Sequence, residues 1–390
     1  MNTQHPSVAL LKHLRTLHPM LKEAAPESEK QRKVSSKVVA ELARCGAFRM
    51  LVPQELGGGE VTPWVFLQAL EELAKGDAAA AWCVMTGATT GVLSAYMDEP
   101  GAQELWGEQP DVVMAGIFAP MGKATAVDGG YRLTGRWPFA SGCENATWRM
   151  GGALVLEDSK PRMGEDGAPM IYSMFFRSEE SEVIDTWSVN GLRGTGSHDI
   201  AVKDIFVPES HVTTLLGRSA RVTSPLFAFP VFGLLATGVA AVGLGIARAA
   251  IDTLKELAQN KRSYGGKKTL AQQELTQLQV AQSEAELQAA RALLQLTLQE
   301  VWDVAEQTGK IGDTEKARVR MAASHAATAA ARVVDAMYHL GGGSSIYERC
   351  DLQRHFRDVH TLTQHVMVSP RIMTTVGRVQ LGLPTNTAQL

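Results

Sequence analysis

The chain has 390 residues, 45% of them hydrophobic and 20% charged, with a formal net charge of −3 and a pI near 6.4. That length exceeds what one core usually serves and points to two or three domains of ordinary globular composition. The slightly acidic balance argues against a nucleic-acid partner, which requires a basic surface.

The N-terminus, "MNTQHPSVALLKHL", has neither a long apolar core nor a cleavage signal, and no leader is expected. From residue 6 to about 110 the pattern is helical. "SEKQRKVSSKVVAELARCGAF" sets Val38, Val39, Leu42, Ala43 and Phe48 at helical spacing, and the Pro/Gly-rich "VPQELGGGE" ends the run. "TPWVFLQALEELAKGDAAAAWCVMTGATTGVLSAYM" predicts two more helices. Thr62 is the N-cap, Pro63 the first helical residue, and Gly76-Asp77 the break between them.

Residues 111 to about 215 change character. "ATAVDGGYRLTG" alternates around Asp128-Gly129 and predicts a β-hairpin. "MGGALVLED", "MIYSMFFR" and "DIAVKDIFVP" are short strand-like runs. No charge occurs between Arg221 and Arg248, a length that spans a bilayer. Prolines, glycines and alanines interrupt it, so it reads as a loop followed by a buried helix from near Phe232, with small residues permitting close packing. Further on, Leu287, Ala290, Leu294, Leu298, Val301 and Ala305 form one apolar stripe. Another long helix, "TEKARVRMAASHAATAAARVVDAMYHL", is stopped by Gly341, Gly342 and Gly343.

Cys45, Cys83, Cys143 and Cys350 lie far apart without zinc spacing and read as reduced structural thiols of a cytoplasmic protein. His355, His360 and His365 are spaced by five. On a helix each such step leaves successive side chains about 140° apart, a poor metal geometry, so no metal site is expected.

Four stretches carry more specific chemistry: "YRLTGRWPFASGCENATW", "VNGLRGTGSHDIAVKDIFVPESHV", "NKRSYGGKKTLAQQELTQLQVAQSEAEL" and "MYHLGGGSSIYERCDLQRHFRDVH". A reduced flavin, the cofactor implied by the family resemblance that these stretches carry, needs partners for its N5 and carbonyl edge, an anion site for its phosphate, and a flat apolar slot. "WPFASG" supplies Trp137 and Phe139 as slot walls, with Ser141 and the backbone around Ala140 to face N5 and O4; read alone, it is a strand end and turn. "HLGGGSSIYE" offers the Gly341, Gly342 and Gly343 backbone and the Ser344 hydroxyl to a phosphate, or is simply a helix stop.

In this order the four stretches resemble the acyl-CoA dehydrogenase superfamily over nearly the whole chain. The finer resemblance is to its oxygen-using branch, the two-component flavin monooxygenases that hydroxylate phenols, indoles and related aromatics. It implies a mainly α fold with a central β domain: an N-terminal helical domain (1–110), a middle β-barrel-like domain (111–225) and a C-terminal four-helix bundle (226–390), assembled as a homotetramer. It implies FAD, or FMN, as a reduced co-substrate delivered by a separate reductase. Oxygen then reacts through a flavin C4a-hydroperoxide to oxygenate a small aromatic or heteroaromatic substrate, in the cytoplasm and with no membrane partner.

The resemblance also assigns residues. Ser141 lies near N5, Arg262 pairs with the flavin phosphates, and Gly341–Ser344 hold the flavin tail, often across a subunit interface. Trp82, Met85 and Thr86 line the substrate side; Arg193, and Ser197 beside it, reach ligand or only shape a turn. Counting from Arg357-Asp358, the dehydrogenases' catalytic glutamate falls on Val366, which cannot take a proton. In the monooxygenases a histidine of this segment meets the oxygen adduct or the substrate hydroxyl. His365 is the first choice, His360 the alternate, and His355 surface or interface. Asn145 stands where phenol-hydroxylating relatives often carry histidine. An acyl-CoA dehydrogenase with a displaced catalytic base is the alternative reading, and a helical assembly protein that lost its cofactor a third.

Overall fold

The structure is a computed structural model, and it describes residues 6–158, 160–164, 167–215, 219–262, 266–388 and 390. Helices open the chain: α1 (Pro6–Thr16), α2 (His18–Gln31), α3 (Ser36–Arg44), α4 (Pro63–Gly76), α5 (Ala78–Gly91) and the short α6 (Glu99–Ala102). Val38, Val39, Leu42, Ala43 and Phe48 are all buried, as their spacing requires. Thr62 is the N-cap of α4, but its hydroxyl makes no cap bond and is buried without a partner. Asp77 does cap α5, accepting the Ala79 N–H at 2.9 Å.

The strands are β1 (Met114–Val127), β2 (Gly130–Ala140), β3 (Trp148–Glu157), β4 (Lys160–Pro161), β5 (Ile171–Arg177), β6 (Glu182–Ile184), β7 (His198–Pro208) and β8 (Val212–Thr213). They form one sheet in the order β6-β7-β2-β1-β3-β5-β8, with β4 on β3. The hairpin at Asp128-Gly129 closes β1 on β2, with Val127 opposite Gly130. Trp137 is fully buried in this sheet and donates its indole N–H to the Gly152 carbonyl at 2.8 Å. A Cβ on Gly122, Gly135 or Gly151 would lie 2.5 Å from its ring, so glycines make the room it fills. Trp137 is therefore a core residue of the β layer, not a wall of an open slot.

The chain ends in α7 (Pro225–Ala228), α8 (Val231–Asn260), α9 (Glu274–Thr308), α10 (Asp313–Gly341), α11 (Leu352–Leu362) and α12 (Arg371–Gln380). The uncharged stretch holds α7 and the first half of α8, and the most apolar window of α8 is 94% buried inside the fold. A Cβ on Gly245 would sit 2.6 Å from the Glu71 carbonyl oxygen of α4, the close approach expected of small residues. The α9 stripe from Leu287 to Ala305 is buried throughout. One core joins helices of the first hundred residues to α8, α9 and α10, while the sheet keeps a core of its own around Trp137 and Phe176. Each fully buried Leu or Val stabilises this packing by roughly 1.5–3 kcal/mol.

Candidate active site

The site forms where α5, the end of β2, the turn before β7 and the segment after α11 converge. At the end of β2 the backbone turns left-handed at Phe139 (φ 64°) and Gly142 (φ 72°). This turn leaves Phe139 69% exposed, with its ring edge-to-face on Trp187 at 6.2 Å. Ser141, between them, is buried at its base.

Ser141 Oγ receives the Trp82 indole N–H at 3.0 Å. It also contacts Ser197 Oγ at 2.7 Å, and Ser197 contacts Thr195 Oγ1 at 2.7 Å. Thr195 donates to the Leu192 carbonyl at 2.8 Å. Leu192 is itself held in a left-handed conformation (φ 50°), its N–H donated to the buried Asp358 carboxylate of α11 at 2.6 Å. Burial pushes the Asp358 carboxyl up to about 7.

His365 stands edge-on to Trp82, ring centres 5.4 Å apart. Helix α11 has already ended at Leu362, and His365 caps the following turn, its Nδ1 accepting the Met367 N–H at 3.3 Å. The proton of the neutral ring therefore sits on Nε2. Burial, reinforced by the Arg320 cation, lowers His365 to about 4, so it is neutral at pH 7. Arg320, buried in α10, donates to the Met367 carbonyl at 3.0 Å and ties down the same turn.

The other predicted residues lie in different surroundings. Met85 is fully buried against α8, whereas Thr86 is half-buried, its hydroxyl bonded to the Cys83 carbonyl at 3.0 Å. Ala140 is fully buried. Arg193 is half-buried, and its Nε is buried without a hydrogen-bond partner. His360 pairs with Asp335 at 2.7 Å and packs on Phe356, away from Trp82. His355, expected at the surface or an interface, is buried within the chain, because it lies on the inner face of α11 beside Thr253 of α8. Val366 is 62% exposed. Asn145 donates to the Val34 carbonyl at 2.8 Å, a tie between its own turn and the loop that joins α2 to α3.

Residues 15–105 match the family model for the acyl-CoA dehydrogenase N-terminal domain, and residues 237–370 the model for the acyl-CoA dehydrogenase C-terminal domain. The chain is 31% identical to the indole-3-acetate monooxygenase of Acinetobacter baumannii over 359 residues, 92% of this chain and 90% of that one. The oxygenase subunit HsaA of Rhodococcus jostii, a flavin-dependent monooxygenase, is 27% identical and matches over 96% of this chain and 98% of its own length. The chain belongs to the acyl-CoA dehydrogenase family, in its branch of two-component flavin-dependent monooxygenases. The crystal structure of the Mycobacterium tuberculosis HsaA monooxygenase superposes with a TM-score of 0.89 at 26% identity, covering 98% of this chain and all 100% of that one.

The residues of this monooxygenase fit a flavin. Ser141 keeps an unused oxygen lone pair, Phe139 offers an open aromatic face, and the Arg193 Nε is an orphaned donor on the turn that carries Ser197. A second group lies elsewhere on the chain. Arg262 is exposed and pairs by backbone with Thr269, and the Lys261 ammonium next to it donates to the Gly341 carbonyl. Gly342 there has φ 50°, Gly343 is exposed, and Ser344 borders a cavity of about 310 Å³ with Lys22 and Arg349. Residues 263–265 of "KRSYGG" lie outside the described residues. Among the described residues no hydrogen bond, ion pair or ring contact joins this group to Ser141. The four cysteines are free thiols, and no cluster of three metal-ligating side chains occurs among the described residues.

Sequence reasoning missed Trp187, Thr195 and Asp358. For Thr195 the signal was present in "GLRGTGS", whose glycines and hydroxyls mark a turn built for hydrogen bonding rather than packing.

Proposed function

We propose that this chain is the oxygenase component of a two-component system, acting on a small aromatic of the indole or phenol class, with the Trp82–Ser141–His365 cluster as its reaction centre. The observation that carries this reading is the hydrogen bond from Trp82 to Ser141 with His365 edge-on to the same indole. Reduced flavin, FAD or FMN, supplied by a separate reductase, activates dioxygen when bound. Ser141 positions the flavin at N5. Trp82 and Phe139 flank the ring system and keep water out. His365 holds its proton at Nε2, with Nδ1 engaged by the Met367 N–H, so it serves the oxygen being transferred as a hydrogen-bond donor rather than the substrate as a base. Arg262 and Gly341–Ser344 take the phosphate end of the flavin of a neighbouring subunit in a homotetramer with the three domains drawn above. The apolar α8 stays inside the fold, without a membrane partner, and the enzyme works in the cytoplasm.

The test uses reduced FAD, a flavin reductase, isotopically labelled dioxygen and indole-3-acetate as the probe aromatic. One labelled oxygen atom is expected in the product. His365→Ala lowers product formation by about a hundredfold while peroxide release rises. Equal product yields from wild type, His365→Ala and Ser141→Ala would remove the cluster from the reaction.

A further inference from the structure

The hydroxyl relay at Ser141 has fixed ends. Trp82 Nε1 can only donate, and the Leu192 carbonyl can only accept. Between them stand three hydroxyls, Ser141, Ser197 and Thr195, each with one proton. The contacts at 2.7, 2.7 and 2.8 Å each require a proton, because two oxygens that close without one repel. Three protons and three contacts leave one arrangement. Thr195 donates to Leu192, Ser197 donates to Thr195, and Ser141 donates to Ser197. The Asp358 carboxylate fixes the Leu192 end through its N–H.

We infer that this one-way relay makes Ser141 an obligate hydrogen-bond acceptor toward flavin, and that Ser197 and Thr195 thereby set the preference of the site for reduced over oxidised flavin. The inference rests on the reading that Ser141 faces N5. Reduced flavin carries a hydrogen on N5 and donates; oxidised flavin has a bare N5 and can only accept. A serine whose proton is committed to Ser197 satisfies the first and meets the second lone pair to lone pair. The Trp82 N–H takes one lone pair of Ser141 and leaves the other for the flavin. Burial of the whole relay excludes the water that would let the protons reverse. Ser197 and Thr195 are positioning residues in this scheme, since they act through Ser141.

The experiment measures two dissociation constants by titration: oxidised FAD in air, and dithionite-reduced FAD under anaerobic conditions, with FMN run in parallel. Wild type binds the reduced form more tightly. In Ser197→Ala the Ser141 proton is free to turn toward N5, so oxidised flavin binds about tenfold tighter relative to reduced. Thr195→Val, of nearly equal shape, lets Ser197 donate back to Ser141 and shifts the ratio the same way; it guards against one variant misfolding, with thermal unfolding confirming both. An unchanged ratio in both folded variants overturns the inference and leaves Ser141 at the flavin. If Ser141→Ala changes neither constant, Ser141 does not face N5, and the placement and the inference fall together.

Discussion

His355 is buried on α11, and burial, with the Arg354 and Lys22 cations nearby, lowers it from 6.5 to about 3. The unfolded chain then binds one more proton than the folded chain between those two values. The stability His355 contributes is complete above the unfolded value of 6.5 and is lost as pH falls toward 3. Integrating from pH 7 to pH 5 gives a loss of about 2 kcal/mol from this residue alone. His355→Gln, which retains a polar group beside Thr253 but cannot titrate, should escape that loss. With an unfolding entropy of about 2.1 cal/mol/K per residue over 390 residues, 2 kcal/mol corresponds to roughly 2–3 °C. The assay is thermal unfolding of the flavin-free protein at pH 7 and pH 5. The variant's Tm should fall by about 2 °C less than that of wild type, whatever its constant offset. His365 and Asp358 titrate in the same window but are present in both proteins and cancel. Parallel Tm values at the two pH values would refute the premise that His355 is held neutral by burial.

Two substitutions test how the site is built. A Cβ on Gly191 would lie 2.0 Å from the Arg357 carbonyl oxygen, backbone against side chain with no room to shift, so Gly191→Ala should destabilise by about 3 kcal/mol and loosen the Leu192 turn; calorimetry and the reduced-FAD dissociation constant read both effects, and an unchanged Tm would mean that α11 does not clamp this turn. Trp137→Ala should cost about 3–5 kcal/mol, because three glycines leave a void nothing else fills; an effect under about 1 kcal/mol in urea unfolding would place Trp137 at a surface instead of in the sheet core.

The helices and strands were legible because their periodicity is written locally. Val38 to Phe48, the α9 stripe and the Asp128-Gly129 hairpin needed no information beyond a few neighbouring residues. Trp137 was not legible. An aromatic beside "FASG" reads equally well as a slot wall or as core, and what decides is the cleft made by Gly122, Gly135 and Gly151 on three strands. The histidines show the same limit from another side. The helical-wheel argument holds for His355 and His360, which face α8 and Asp335 from opposite sides of α11. It does not apply to His365, because the helix has ended and the residue caps a separate turn. The Ser141 relay joins positions 56 and 59 residues apart in the chain, so no window of sequence contains it. A single hydroxyl has no direction of its own; Ser141 acquires one only from an indole donor at one end and a carbonyl at the other. The polarity that suits it to reduced flavin is thus a property of the folded arrangement, carried by residues that are individually unremarkable in type.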